Sequence, residues 1–446
     1  MQQAVRQHYP HTPCDYRFTN RTPKVTHLPL KGLPWLQQKI QAMAKLQLTM
    51  DERSFLEVQC PYLTKEYLDW LQNEFRFRPE EQVKIRYGSS SVPTEEPTIT
   101  TTTSSPSSPS SSRSEPNQNQ ATEQLEIMIM GEWDQVILYE VPILSLVAEA
   151  YYLFGDQDWS YEGQFEAAKE KADRLIRAGA KFAEFGTRRR RDYETQRIVL
   201  QGLVAADRER QERQEREREE TQIGSATAAK GGKSGLLTGT SNLHFAHIMN
   251  ITPIGTMAHE WFMGTAAILQ DAGQANPIAL DRWTTAFPGQ VLGIALTDTF
   301  TTEVFLKVFQ GFLARDWVGV RHDSGDPFEF MDRIIQHYDQ DPLVGPELRK
   351  GKRIVFSDGL DTDRAIQLQQ AADTKEIQVS FGIGTHFTND YRHAQDPEHR
   401  QSSVMNIVIK LHSCAGKECV KLSDDPSKES GSMEVVSEVK RQIGAK

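Results

Sequence analysis

The sequence predicts an α/β protein organised around a parallel sheet or a closed barrel, and two observations carry that expectation. In the second half, short apolar runs end abruptly in polar loops and pass into helix-like segments: AKFAEFGTRRR, QVLGIALTDTF, DWVGVRHDSGDP, KRIVFSDGLDTDRA and IQVSFGIGTHFTND. Strand, loop and helix in series, mostly roughly 25 to 40 residues apart, is the pattern of βα units. The chain of 446 residues also exceeds one ordinary small domain, leaving room for two or three cores or a large barrel with a companion. In a barrel the loops after the strands share one face, so their polar residues should converge there.

Composition narrows the function classes. A hydrophobic content of 38% and a formal charge of −10 describe a soluble, mildly acidic protein rather than one covered in positive charge for nucleic acid. No run approaches the roughly 18 apolar residues a membrane span needs, and MQQAVRQHYP has no signal-like apolar stretch. The cytoplasm, with the nucleus as alternative, is the expected location. The cysteines Cys14, Cys60, Cys414 and Cys419 lack zinc spacing and are read as reduced thiols.

Along the chain, residues 88–120 are rich in Ser, Thr and Pro, with almost nothing to bury, and are expected to be a disordered surface loop. In EFGTRRRRDYE, Phe185 and Gly186 precede Arg188, Arg189, Arg190 and Arg191. An aromatic beside a basic cluster can stack on a flat ring and neutralise an acid. Four consecutive arginines cannot all face one pocket, so one or two should be plain surface charge; a nucleic-acid patch is a distant alternative. Residues 207–235 alternate charge and then turn to small residues, which suggests a solvated, mobile insertion over a short exposed helix. Within it GGKSG is no phosphate loop, because Thr227 stands where that pattern needs glycine.

The stretch PIGTMAHEWF places His259 and Glu260 ahead of an apolar run. It lacks the second histidine of HExxH, so the metalloprotease reading falls away. His259 could be a base, a nucleophile, a core residue, or part of a metal cluster with His244 and His247. Asp298 in ALTDTFTTEVF is either a magnesium-linked acid or a helix cap. In GVRHDSGDP, Arg321 can hold a carboxylate or phosphate, and Asp323 or Asp326 a ribose diol or a metal; a self-paired turn is the alternative. SDGLDTD, with Asp358, Asp361 and Asp363, is similarly open, since Asp361 or Thr362 could merely cap a helix. Gly382, Gly384 and Thr385, after an apolar run, can bring backbone N–H groups and a hydroxyl to a phosphate.

Taken in order, FTNRTP, EFGTRRRRDYETQ, TGTSN, PIGTMAHEW, LTDTFTTEVFL, GVRHDSGDP, FSDGLDTD and FGIGTHFTND span almost the whole chain. This set resembles the nicotinate phosphoribosyltransferase family, especially its fungal members. The resemblance implies an irregular α/β barrel of the type II phosphoribosyltransferase kind with a smaller amino-terminal α/β domain. The implied division is residues 1–140 for that domain, 141–411 for the barrel and its site, and 412–446 for a tail packing back on the first domain. It implies an ATP-coupled ligase of pyridine-nucleotide salvage, joining nicotinate to phosphoribosyl pyrophosphate with Mg2+ as cofactor.

By the same resemblance His259 accepts a phosphate from ATP, and Glu260 orients its ring or accepts its other N–H. Phe185 stacks on the pyridine, with Arg188 and Arg321 near the substrate's carboxylate and phosphates, while Ser241 stands where amide-using relatives carry an acid. Asp323 is implied for the ribose, Asp298 and Asp358 for magnesium or pyrophosphate, and Gly359, Gly382, Gly384 and Thr385 for phosphate. A homodimer is implied as well. Family members carry, ahead of the position of Met1, a tyrosine segment that covers the nicotinate ring, so the resemblance also implies a shortened amino terminus. The alternatives are a nicotinamide-type phosphoribosyltransferase and a catalytically silent relative.

Overall fold

A computed structural model describes residues 1–89, 123–224, 234–398 and 400–445. The expected disordered segment 88–120 lies almost wholly outside these residues. Strands are numbered along the chain. Five form an antiparallel sheet: β1 (Pro13–Asn20), β2 (Val83–Ser89), β3 (Glu123–Glu132), β10 (Ile407–Cys414) and β11 (Lys417–Glu418), in the order β11-β10-β1-β3-β2. Alternation sets one apolar face, with Tyr16, Ile127, Ile129, Ile409 and Leu411 buried. The chain therefore returns from its far end to place β10 beside β1, with Leu411 opposite Tyr16.

The other six strands are all parallel: β4 (Lys181–Glu184), β5 (Leu236–Thr240), β6 (Ile294–Leu296), β7 (Gly319–His322), β8 (Arg353–Phe356) and β9 (Gln378–Ile383), in the order β5-β4-β9-β8-β7-β6. They are short apolar runs covered by helices, as parallel strands require. Among the described residues β5 and β6 do not pair, so the array is open on one side, which is its irregularity.

The helix His259–Leu269 packs on β10. A Cβ on Gly264 within it would lie 2.3 Å from the Trp133 ring, so only glycine admits that indole. The catalytic-looking histidine thus starts a helix wedged between the two sheets.

Two expectations need correction. Residues 207–224 belong to one long helix, Tyr193–Gly224, so the mobile reading fails there. Pairs such as Arg210–Asp207 along the helix, and Lys169–Glu209 to its neighbour, hold its charged surface. Residues 225–233 lie outside the described ones. The stretch Trp133–Phe154 is also long and apolar enough to cross a membrane by length and composition, contrary to the reading of the sequence. Over half of its most apolar window, 56%, is buried inside the protein, where it contributes Trp133, Ile143, Leu144 and Val147 to the core.

Candidate active site

The loops after the parallel strands converge on His259. Its Nδ1 lies 3.0 Å from Thr299 Oγ1, past the end of β6. Its Nε2 lies 3.0 Å from Asp323 Oδ2, just after β7, and 3.7 Å from Asp298 Oδ1. Lys421 Nζ also approaches Nε2, at 2.9 Å, and sits 3.3 Å from Asp298 Oδ2. Burial first of all pulls the imidazole below its ordinary value, with Lys421 adding to that and Asp298 and Asp323 opposing it. A neutral ring follows.

The two aspartates are held as anions. Burial opposes ionisation of Asp323, but Arg321, then the hydrogen bond with His259, keep it well below the usual carboxylate range. Ser357 Oγ donates to its Oδ1 at 2.7 Å, and Arg321 stands 3.6 Å away. Asp298 is likewise low: burial raises it, and His259 and Lys421 more than offset that. Its Oδ2 accepts from Ser324 Oγ at 2.6 Å and Ser423 Oγ at 3.3 Å. Its Oδ1 is buried with no hydrogen-bond partner among the described residues.

A carboxy-terminal strap that the sequence reading missed closes this cluster. After β11 the chain crosses the barrel mouth, with Leu422 N donating to Thr299 O at 2.9 Å. Asp424 accepts from Thr302 N at 2.7 Å and from its hydroxyl. Ser423 takes a left-handed φ of 68°, a strained conformation for serine that accompanies its reach to Asp298. Lys428 pairs with Asp358 at 2.7 Å and donates to Asp323 O at 3.1 Å. The only signal in the sequence was the pair of lysines flanking the Asp-Pro turn of KLSDDPSK.

The second part of the mouth is apolar and lies at the ends of β4, β5 and β9. Phe185 follows β4, its N–H bonded to Ile383 O at 2.8 Å. A Cβ on Gly382 would stand 3.2 Å from the Phe185 ring, and one on Gly384 would stand 3.3 Å from the Phe185 carbonyl. The two glycines therefore pack this ring and its turn, which the phosphate reading had not included. Thr385 opens the short helix Thr385–Thr388, and Ser241, half-buried, follows β5 and donates its N–H to Glu184 O at 2.9 Å. Gly359 has a φ of 56° in the loop after β8, a left-handed turn suited to glycine.

Other candidates part from the cluster. Both ring nitrogens of His259 are engaged elsewhere, so Glu260 does not orient the imidazole. Instead it is buried beside Tyr16 and Glu140, where burial, then Glu140, push its carboxyl up to about 8. His244 is exposed and bonds Tyr193 at 2.9 Å, and His247 packs on Phe55, so neither joins His259. Asp326 and Asp361 cap helices. Asp363 pairs with Arg174. Arg188 alone of its run is exposed, pairing with Glu140 at 3.1 Å. Arg189 donates to Asn406 Oδ1 at 2.9 Å. Arg191 is fully buried in a cage of Tyr152 and Tyr391, 4.1 and 4.2 Å from its guanidinium. The run is thus mostly interior architecture, with Arg188 as the surface charge expected of one or two of the four, and it forms no exposed basic patch for nucleic acid.

Comparison with known proteins gives a consistent result. Residues 180–445 match the family model described as nicotinate phosphoribosyltransferase (NAPRTase) family, and residues 1–105 match its N-terminal domain. A Schizosaccharomyces pombe protein described as a probable nicotinate phosphoribosyltransferase is 40% identical over 447 residues, covering 99% of this chain and 94% of its own length. The Saccharomyces cerevisiae nicotinate phosphoribosyltransferase is 36% identical, covering 100% and 92%. A crystal structure of a Saccharomyces cerevisiae chain described as a putative nicotinate phosphoribosyltransferase superposes with a TM-score of 0.84 at 35% identity, covering 100% of this chain and 95% of that one.

Proposed function

The chain belongs to the nicotinate phosphoribosyltransferase family, and from that premise we propose that it joins nicotinate to phosphoribosyl pyrophosphate, giving nicotinate mononucleotide and pyrophosphate in NAD salvage. In this transfer the anomeric carbon leaves the pyrophosphate oxygen and bonds the ring nitrogen. The protein's task is alignment of that nitrogen and stabilisation of the leaving charge. The observation that carries the reading is the juxtaposition of a neutral His259 with two anionic aspartates and two lysines at the mouth of the barrel.

We further propose that His259 Nε2 bonds the γ-phosphorus of ATP as the bond to ADP breaks, its proton passing to Asp323, and that Lys421 compensates the charge of the phosphohistidine. Arg321, Lys421 and Lys428 supply the positive charge that a pyrophosphate needs, and Asp323 holds the ribose. Phe185 offers the flat face for the pyridine, with the neutral Ser241 at its edge. A neutral group there suits a carboxylate better than an acid would, which favours nicotinate over nicotinamide.

Magnesium fits Asp298, whose buried Oδ1 has no hydrogen-bond partner among the described residues. Asp358 fits less well, because its carboxylate already pairs with Lys428. When bound, Mg2+ would neutralise phosphate oxygens. Asp298 is fixed for this by Ser324 and Ser423. We extend the proposal to a homodimer in the cytoplasm, which sedimentation and localisation of a tagged chain would check.

The test is nicotinate mononucleotide formation with and without ATP, alongside labelling by ATP carrying a radioactive γ-phosphate. The protein should form product, faster with ATP, and take up label. His259→Asn should lose the label and the ATP stimulation, with turnover falling by about a hundredfold or more. A labelled His259→Asn protein would refute the phosphohistidine. Preference for nicotinamide in a competition assay would refute the substrate assignment.

A further inference from the structure

Glu184, the last residue of β4, has no exposed surface and none of the roles above. Its Oε2 accepts Thr240 Oγ1 at 2.6 Å and Gln196 Nε2 at 2.9 Å, and its Oε1 accepts the Gly186 amide. All three donors are neutral. Burial lifts the carboxyl above its ordinary range, and the hydrogen bonds from Thr240, Gly186 and Gln196 oppose that lift. Retaining a buried acid on neutral donors costs desolvation that an apolar residue would avoid.

The three bonds join the pieces that flank the flat-ring pocket. Gly186 follows Phe185. A Cβ there would stand 2.8 Å from Glu184 Oε1 and 2.1 Å from Thr388 Oγ1, so only glycine lets both side chains reach the turn. Thr388 Oγ1 donates to Gly186 O at 3.0 Å, so the peptide groups around Phe185 are fixed from two sides. Thr240 precedes Ser241, and its Oγ1 also accepts Asn242 N at 3.1 Å. Glu184 thus holds the end of β5 on one oxygen and the Phe185 turn on the other. The Ser241 N–H bond to its carbonyl adds a fourth tie.

We propose that Glu184 is a positioning residue that locks the Phe185 ring and the Ser241 edge into one preformed slot for the aromatic acid, separately from the phosphate-handling end around His259. This rests on reading Phe185 and Ser241 as the nicotinate pocket. Glu184→Gln keeps the shape but turns one acceptor into a donor facing another donor. Thr240→Val removes one of those donors at nearly constant volume.

Steady-state kinetics on the full chain, varying each substrate in turn, test this together with melting temperature and labelling from ATP. Each variant should raise KM for nicotinate by about tenfold while KM for phosphoribosyl pyrophosphate stays within about twofold. Labelling should match the parent, while melting temperature falls by only a few degrees, as about 1–3 kcal/mol for a broken buried hydrogen bond allows. The double variant should be no worse than the worse single one, because both changes break the same link. Equal rises in both KM values, additive effects, or an unchanged nicotinate KM in Thr240→Val would overturn the proposal. Should Glu184→Gln fail to fold, Thr240→Val alone still decides. A parent protein that makes no nicotinate mononucleotide would instead bring down the functional reading beneath it.

Discussion

At the scale of residues, neighbours in sequence have opposite fates here. His259 and Glu260 both open one helix, yet consecutive helical side chains diverge by about 100°. One therefore faces the barrel mouth and the other faces the antiparallel sheet. The motif PIGTMAHEW made the histidine legible, while adjacency misled about the glutamate, since partners across a helix start are set by packing. The Glu260 carboxyl, lifted by burial to about 8 against an ordinary 4.5, keeps a proton in the folded state that the unfolded chain releases. The folded state then binds more protons over that interval, so stability falls as pH rises from 4.5 to about 8. Glu260→Gln should flatten this dependence: between about pH 5 and pH 8 its melting temperature should drop less than the parent's. A parallel drop in both proteins would show that Glu260 is already ionised in the fold.

At the scale of elements, the parallel strands were legible because each is a short apolar run with a sharp polar end. Asp298, Asp323 and Gly382 could be located from that pattern alone. The strap carrying Lys421, Ser423, Asp424 and Lys428 was not legible. It is irregular chain whose position depends on β10 pairing with β1 across almost the full length of the sequence. The helix Tyr193–Gly224 was misread for a different reason: low complexity suggested mobility, while Arg and Glu three and four apart supply pairs that support a helix. Its outer residues Glu215 and Arg216 are exposed, and exposed pairs are weakly stabilising. Glu215→Gln and Arg216→Gln should each change unfolding free energy by no more than about 0.5 kcal/mol and leave turnover unaltered. A larger change in a urea titration would mean that this helix has a partner.

At the scale of the whole molecule, one apolar cluster runs through both sheets, from Val5 and Tyr16 through Trp261 to Phe356, Phe381 and Leu411. Among the described residues only Leu56, Cys60 and Leu68 form a separate small cluster. The helix starting at His259 lies within the shared core, its Trp261 against Trp133 and Trp283 at centroid distances of 6.2 and 5.8 Å. With no apolar seam between the sheets, they should unfold together in spite of the chain's length. Leu411 tests this because it is 2% exposed, lies in the antiparallel sheet, and is only ten residues from Lys421. Leu411→Ala should cost about 3 kcal/mol. In urea the variant should shift a single transition to lower concentration at unchanged slope, seen equally by tryptophan fluorescence and by loss of nicotinate mononucleotide formation. Two separated transitions, with activity lost in only one of them, would mean that the antiparallel sheet and the barrel are independent folding units joined by the strap. His259 would then depend on the sheet chiefly through the strap, and Lys421→Met would reproduce the activity loss of Leu411→Ala without its loss of stability.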